Sequence, residues 1–161
     1  MKVSPLATNE IADNGSFTHI ATITADDLTT AATNTAQTIT LVSLMAGDII
    51  GKILWRAKTF FQASADAAFN TTTMSIGDTA SGVATHKAAI ELNVNGTEVR
   101  EGFSNTAVGP YTAADSLTAT FNAMAAKALL SIDTGEVEIL FQLIRPSVLE
   151  EAVSGKDIRT K

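Results

Sequence analysis

The stretch Leu41–Ile50, LVSLMAGDII, returns in similar form at Leu129–Glu138 as LLSIDTGEVE. Gly135 lies 88 residues after Gly47 (135 − 47), and the same offset places the tetrapeptide TADD (24–27) over TAAD (112–115). The residues between these pieces do not match, and Ala, Thr and Leu are common in the chain, so chance is one interpretation of the repeat. The other is a structural equivalence of two halves. We favour the second, because an even offset keeps inward-facing and outward-facing positions of a strand in step.

The residues that follow each glycine alternate between apolar and polar, as in a half-buried β-strand. A glycine suits the turn before such a strand because it accepts a positive φ at little cost. In the first copy the residues predicted to share the inner face are Ile49, Ile53, Trp55, Ala57 and Phe61. In the second copy they are Val137, Ile139, Phe141 and Leu143.

A capping pattern precedes each half. Thr24 with Asp27, and Thr112 with Asp115, have the spacing at which a hydroxyl and a carboxylate satisfy the unpaired donors of a helical turn. Each pattern therefore predicts a short helical turn.

The rest of the chain consists of short strand patterns separated by turns, without a long helical period. Strands are predicted over 17–23, 37–44, 72–76, 89–94, 97–103 and 117–121, and Asn95-Gly96 is a strong hairpin signal. This spacing predicts an all-β fold, an antiparallel β-sandwich of the jelly-roll type with two similar halves and short helical turns. The predicted organisation is an N-terminal arm (1–16), a jelly-roll domain (17–146) and a C-terminal short helix and tail (147–161).

The C-terminal segment SVLEEAVSGKDIRTK carries a third capping pattern, Ser147 with Glu150, and a short apolar stripe that ends before Gly155. One interpretation is a frayed surface helix with a solvated tail. The other is a latch that binds a neighbouring subunit. The residues predicted to bind the partner are Val148, Leu149, Val153, Arg159 and Lys161.

Composition excludes several classes of function. The chain has 161 residues, of which 45% are hydrophobic and 17% charged, and its net charge is −6. This length suits one domain, and an acidic chain is not expected to bind nucleic acid. There is no cysteine, so a disulfide or a thiolate site is excluded. No apolar run has the length of a signal peptide or a membrane span, so we expect a soluble protein made in a cytoplasm and no membrane partner.

No motif predicts catalysis, a cofactor or a metal. His19 and His86 are the only histidines, and neither lies in a metal-like pair. His86 has no second histidine near it, so it is expected to be a surface or edge-strand residue. The loop around Gly77 and Gly82 lacks the Lys-Ser/Thr pair of a phosphate-binding loop. A calcium ion held by loop carboxylates among Asp13, Asp26, Asp27 and Asp78 is the one metal alternative left open.

The order of these pieces resembles small jelly-roll virion proteins of tailed bacteriophages. The resemblance lies in TADDLTTAATNTAQTITLVSLMAGDIIGKILWRAKTFF (24–61), TTTMSIGDTASG (71–82), PYTAADSLTATF (110–121) and LLSIDTGEVEILFQLIRPS (129–147). In that type an Ala-Gly-Asp turn opens a strand ending in Thr-x-Phe, a Gly-Asp loop follows, and a Thr-Gly-Glu turn opens the last strand. The likeness spans residues 22–147 and includes no diagnostic site.

The resemblance implies a capsid cement or decoration protein on the phage head, synthesised in the host cytoplasm. Its implied partners are the major capsid protein and further copies of itself, with a trimer favoured over a dimer. It implies no enzymatic activity and no cofactor. Two alternatives remain: a head or tail fibre or spike component that binds carbohydrate through Trp55 and Tyr111, and a cupin-like enzyme.

Overall fold

In a computed structural model, two antiparallel sheets pack face to face. The structure describes residues 1–7, 16–66, 72–93 and 101–146. No helix in those ranges is long and apolar enough to span a membrane. The strands are β1 (Lys2–Pro5), β2 (His19–Thr24), β3 (Gln37–Leu44), β4 (Ile49–Gln62), β5 (Thr73–Asp78), β6 (Gly82–Glu91), β7 (Glu101–Ser104), β8 (Asp115–Phe121) and β9 (Thr134–Ile144).

The strand order is that of a jelly roll. One sheet has five strands in the order β1-β2-β9-β4-β7, and the other has four in the order β3-β8-β5-β6. The pairs β2–β9, β3–β8, β4–β7 and β5–β6 are nested like the two arms of one long folded ribbon. The predicted fold class is confirmed.

The core lies between the two sheets. Its largest fully buried side chains include Phe61, Phe121 and Phe141. The Phe61 ring of β4 and the Phe121 ring of β8 have centroids 5.2 Å apart, so they join the two sheets directly. The alternation predicted for β9 is confirmed at Val137, Ile139 and Phe141, which are fully buried.

The alternation predicted for β4 holds only from Ile53 onward. Ile50 and Ile53 are both buried and Ile49 is half-buried, so the prediction for Ile49 was wrong. The register of β4 against β9 shifts between Ile50 and Ile53. A bulge adds a residue to one strand and thereby reverses which residues face inward.

The repeat corresponds to structure only in part. Gly47 and Gly135 both have a positive φ, +92° and +148°; Gly47 precedes β4 and Gly135 is the second residue of β9, and both strands belong to the five-stranded sheet. The residues before Gly47 form β3, whereas Leu129–Ser131 form a 3-10 turn. The two copies therefore share the strand after the glycine but not the element before it.

One of the two predicted helical turns is confirmed. Ala25–Asp27 form a 3-10 turn, and the Asp27 carboxylate accepts hydrogen bonds from the backbone N–H and the hydroxyl of Thr24. The turn predicted from Thr112 and Asp115 was wrong, because Asp115 is the first residue of β8. Its carboxylate accepts a hydrogen bond from the backbone N–H of Thr79 in the β5–β6 turn.

Two strand predictions were incomplete. Lys2–Pro5, inside the segment predicted to be an arm, pair with β2 as an edge strand. Strand β6 begins at Gly82, ahead of its predicted start at Ala89. The hairpin predicted at Asn95-Gly96 was wrong as a pairing of its flanking strands, because β6 pairs with β5 in one sheet and β7 with β4 in the other. Asn95 and Gly96 themselves, and the predicted C-terminal helix and tail (147–161), lie outside the described residues.

Candidate assembly surface on the outer face of the five-stranded sheet

Four apolar residues line up across the outer face of the five-stranded sheet. The registers pair Ile20 with Leu140, Leu140 with Leu54, and Leu54 with Phe103. Their chain neighbours Ala21, Ile139 and Trp55 are buried in the core, so these four side chains point to the opposite face. We call Ile20, Leu54, Phe103 and Leu140 the outer row.

The outer row belongs to a small apolar cluster that is separate from the core. Leu140 and Phe17 are both buried, yet neither is part of the main core cluster. The Phe17 ring meets the Phe103 ring edge-on, with centroids 6.3 Å apart, and Lys52 Nζ lies 5.4 Å from the centroid of Phe17. Phe17 therefore lies on the outer face, because Phe103 points outward.

The far end of this cluster is open to solvent. Phe103 keeps 48% of its surface exposed although it pairs with Leu54 and contacts Phe17. Its strand, β7, is the edge of the sheet. A large exposed aromatic residue next to buried apolar ones on a sheet face is typical of a protein interaction site.

A charged row runs beside the outer row. Glu138 accepts hydrogen bonds from Arg56 Nη2 over 2.8 Å and forms an ion pair with Lys58 Nζ at 2.6 Å. Burial alone would raise the pKa of Glu138, but the hydrogen bonds and charges of the two cations outweigh it and hold that pKa below its usual value. Glu138 is thus ionised at neutral pH and fixes both cations beside the outer row.

A shallow cavity continues the outer row at the β1 edge. Its volume is about 170 Å³, and its lining residues are Lys2, Ser4, Pro5, Leu6, Ile20 and Thr22. Ile20 is common to the cavity and the outer row, so the two form one surface. This surface combines apolar contact, a cavity and charged flanks, which suits protein binding.

A second cavity, with a volume of about 340 Å³, is lined mainly by residues that follow β4 and precede β9. Four of its lining residues are alanines, and its two charged residues, Asp66 and Lys127, form an ion pair with each other. It therefore offers a ligand few polar contacts.

The two histidines lie in different sheets. His19 in β2 is half-buried, hydrogen-bonds through Nδ1 to the Thr18 hydroxyl at 2.9 Å and stacks on Phe141 at 5.2 Å. His86 lies in the edge strand β6 and is buried, and neither ring nitrogen has a hydrogen-bond partner among the described residues. Burial lowers the pKa of both histidines. In the part of the chain that is described, no three His, Cys, Asp or Glu side chains gather as metal ligands.

The three described carboxylates considered for calcium, Asp26, Asp27 and Asp78, are not gathered in one place. Asp27 caps the Ala25–Asp27 turn, and the Asp26 side chain is exposed. Asp78 is buried and accepts a hydrogen bond from the Tyr111 hydroxyl over 3.3 Å. Asp13 lies outside the described residues.

The aromatic residues proposed for carbohydrate stacking are buried. Trp55 is 5% exposed and Tyr111 is 9% exposed. The sequence prediction that Trp55 belongs to the core is confirmed. A sugar ring needs an open aromatic face, so neither residue presents one.

The sequence did not reveal the outer row, and the structure does not describe the residues that the sequence proposed for partner binding. Val148, Leu149, Val153, Arg159 and Lys161 all lie beyond Pro146, the last described residue. Leu54 and Leu140 alternate with the residues predicted to face inward. Their alignment with Ile20 and Phe103 depends on strand registers that the sequence does not contain.

The fold is known from a bacteriophage capsid. No family model and no curated protein matches the sequence. A chain of the cyanophage Pam1 capsid asymmetric unit superposes with a TM-score of 0.53 at 15% identity, covering 76% of this chain and 79% of that one. A chain of the Helicobacter pylori bacteriophage KHP30 capsid gives a TM-score of 0.48 at 13% identity, covering 77% and 83%. At this identity the Pam1 likeness shows a shared fold.

Proposed function

We propose that this protein is a structural component of a bacteriophage virion, namely a cement or decoration protein that binds the outer surface of the head. In this role it stabilises contacts between major capsid subunits. The observation that carries the proposal is the jelly roll shared with a phage capsid chain over about three quarters of both proteins. Fold alone does not define function, so the surface provides the second support.

The outer face of the five-stranded sheet fits an assembling protein. A monomer would leave Phe103, which is 48% exposed at the open end of the apolar cluster, in contact with water, which is unfavourable for a protein that works alone. A cement protein binds in many symmetric copies, so each contact can be weak while the whole layer is stable. We propose the major capsid protein as one partner and a homo-oligomer of this chain, with a trimer favoured, as the other.

Binding to the head tests this function directly. Heads are prepared from a deletion mutant of the phage whose genome carries this gene, so they lack the protein. Purified protein is added to these heads, and the bound copies are counted after sedimentation. We expect saturable binding of many copies per head and a higher temperature of head disruption. Heads that neither bind the protein nor gain stability would contradict the proposal.

The copy number in the native particle separates this function from its main alternative. A cement protein should be present in hundreds of copies per virion, whereas a tail or fibre component should be present in few. Quantitative mass spectrometry of purified virions, with the major capsid protein as internal standard, gives the ratio. A ratio of a few copies per virion would place the protein in the tail or fibre instead.

A further inference from the structure

We propose that the outer row binds the C-terminal segment, residues 147–161, of a second copy of this chain. This inference deepens the proposed function, since it rests on a protein that assembles with itself, and it names the two surfaces that meet. Its occupant is argued from the composition, length and starting point of the segment.

The segment carries the apolar residues that such a surface needs. Val148, Leu149, Ala152 and Val153 recur at intervals of one and four residues, which places them on one side of a helix. The capping pattern of Ser147 and Glu150 predicts that a helix begins there. An isolated helix this short is marginal in water, so it requires an apolar surface to pack on.

The lengths agree. A helix over 147–154 would be about 12 Å long at about 1.5 Å per residue. The outer row crosses from β2 to β7, which is three strand intervals of about 4.8 Å, or about 14 Å. The segment can therefore cover the row with its first half, and its basic second half, with Arg159 and Lys161, extends beyond the row.

The starting point of the segment favours a second copy over its own sheet. The segment continues from β9, whereas Phe103, the most exposed residue of the row, lies on the edge strand β7, two strands away in the sheet. Phe17, with Lys52 over its ring and Phe103 at its edge, already fills part of the outer face within its own chain. The row is open at Phe103, the edge from which a neighbouring molecule can approach.

The charges beside the outer row are opposite in sign to those on the predicted helix of the segment. Lys52, Arg56 and Lys58 lie on β4 next to the row, and Arg56 and Lys58 are held in place by Glu138. The segment carries adjacent carboxylates at Glu150 and Glu151 on its predicted helix. Opposite charges at the margin of an apolar contact fix its orientation.

Full-length variants test the contact by their oligomeric state in sedimentation velocity. Phe103→Asp alters the row and Leu149→Asp alters the segment, while Val83→Asp is the matched control, because Val83 is 45% exposed on the other sheet. We expect the wild type and Val83→Asp to associate and each of the other two variants to dissociate at least about tenfold more easily. Circular dichroism and thermal unfolding verify that all four proteins are folded.

Mixing separates a contact between copies from a contact within one chain. Phe103→Asp keeps an intact segment and Leu149→Asp keeps an intact row, so a mixture of the two should form a mixed complex that neither forms alone. A wild type that stays monomeric, or a Leu149→Asp variant that associates like the wild type, would overturn the proposal. A Phe103→Asp variant that associates normally would do so as well.

These measurements use no capsid, so they are independent of the test of function. If the protein associates through the segment but does not bind heads, the cement role is wrong and the contact stands. If it binds heads but Leu149→Asp associates normally, the contact is wrong and the cement role stands.

Discussion

Arg145 holds Asp48 through two parallel hydrogen bonds. Arg145 Nε donates to Asp48 Oδ1 over 3.0 Å, and Nη2 donates to Oδ2 over 2.8 Å. Arg145 Nη2 also donates to the backbone carbonyl of Ser43 over 3.2 Å. The residue after β9 is thereby tied to the turn between β3 and β4. This contact fixes the point from which the C-terminal segment leaves the sheet.

Removal of Arg145 should destabilise the fold. The Asp48 side chain is 1% exposed, so Arg145→Ala leaves a buried carboxylate that, among the described residues, keeps the Met45 N–H as its donor. We expect the free energy of unfolding to fall by about 3 kcal/mol, the low end for breaking a buried pair, because Arg145 itself is partly exposed. Urea unfolding at pH 7 measures the loss.

Arg56→Ala is the control for this variant. Arg56 is half exposed, and its partner Glu138 keeps Lys58, so the expected loss is below about 1 kcal/mol. Equal losses for the two variants would show that burial of Asp48 is not what makes the Arg145 pair important.

The hydrogen bond from Arg145 also lowers the pKa of Asp48, so the stability from this pair should be lost only in acid, below the usual pKa of a carboxyl group.

The two glycines of the repeated stretch should respond differently to alanine. A Cβ at position 47 would meet no atom within 4 Å, so Gly47→Ala should cost only the positive φ, about 1 to 2 kcal/mol. A Cβ at position 135 would lie 2.4 Å from Cγ of the fully buried Phe61. Gly135→Ala should therefore cost about 3 to 5 kcal/mol. Denaturant unfolding measures the free energy of unfolding of both variants. Equal losses would contradict the prediction that Gly135→Ala is the more destabilising.

Stability should decline as the pH falls below about 6.5, the usual pKa of histidine. Burial lowers the pKa of His86, and the Thr106 backbone and the Asp78 carboxylate only partly oppose this shift. Burial and the nearby Arg145 charge lower the pKa of His19. The unfolded chain then binds more protons than the folded one, so stability is full above the unfolded pKa and decreases below it. The slope per histidine is at most about 1.4 kcal/mol per pH unit.

His86→Leu tests which histidine is responsible. This substitution removes two buried nitrogens that have no described partner, so stability at pH 7.5 should be maintained or increase. The slope between pH 6.5 and 5 should become shallower. Thermal unfolding across this range measures it, and an unchanged slope would mean that His86 does not titrate on unfolding.

Truncation of Trp55 should lower the stability of the fold. We expect no change in sugar binding, because Trp55 is buried in the core. The Trp55 ring packs so closely on Gly102 that a Cβ there would lie 2.2 Å from Trp55 Cζ2. Trp55→Ala should cost about 3 to 5 kcal/mol of unfolding free energy. A glycan array on which the wild type binds and Trp55→Ala does not, with an unchanged melting temperature, would favour the carbohydrate alternative.

Local sequence patterns predicted the fold class and much of the framework. Side chains alternate along any strand, so β3 and β9 could be recognised from their own residues. Gly47 and Gly135 could be recognised because a sharp turn into a strand favours a positive φ, and Thr24 with Asp27 because a cap involves residues only three positions apart. These features depend on short-range geometry, which the sequence alone determines.

Other features were decided only when distant strands met. The bulge between Ile50 and Ile53 depends on the pairing of β4 with β9, and the 3-10 turn at Leu129–Ser131 replaces the strand that the repeat predicted. The same holds for the outer row, whose members are brought together by three separate registers. A register depends on hydrogen bonds between segments far apart in the chain, so no local pattern specifies it. The sequence thus determined which residues form strands, and the tertiary structure determined which of their outward side chains form one surface.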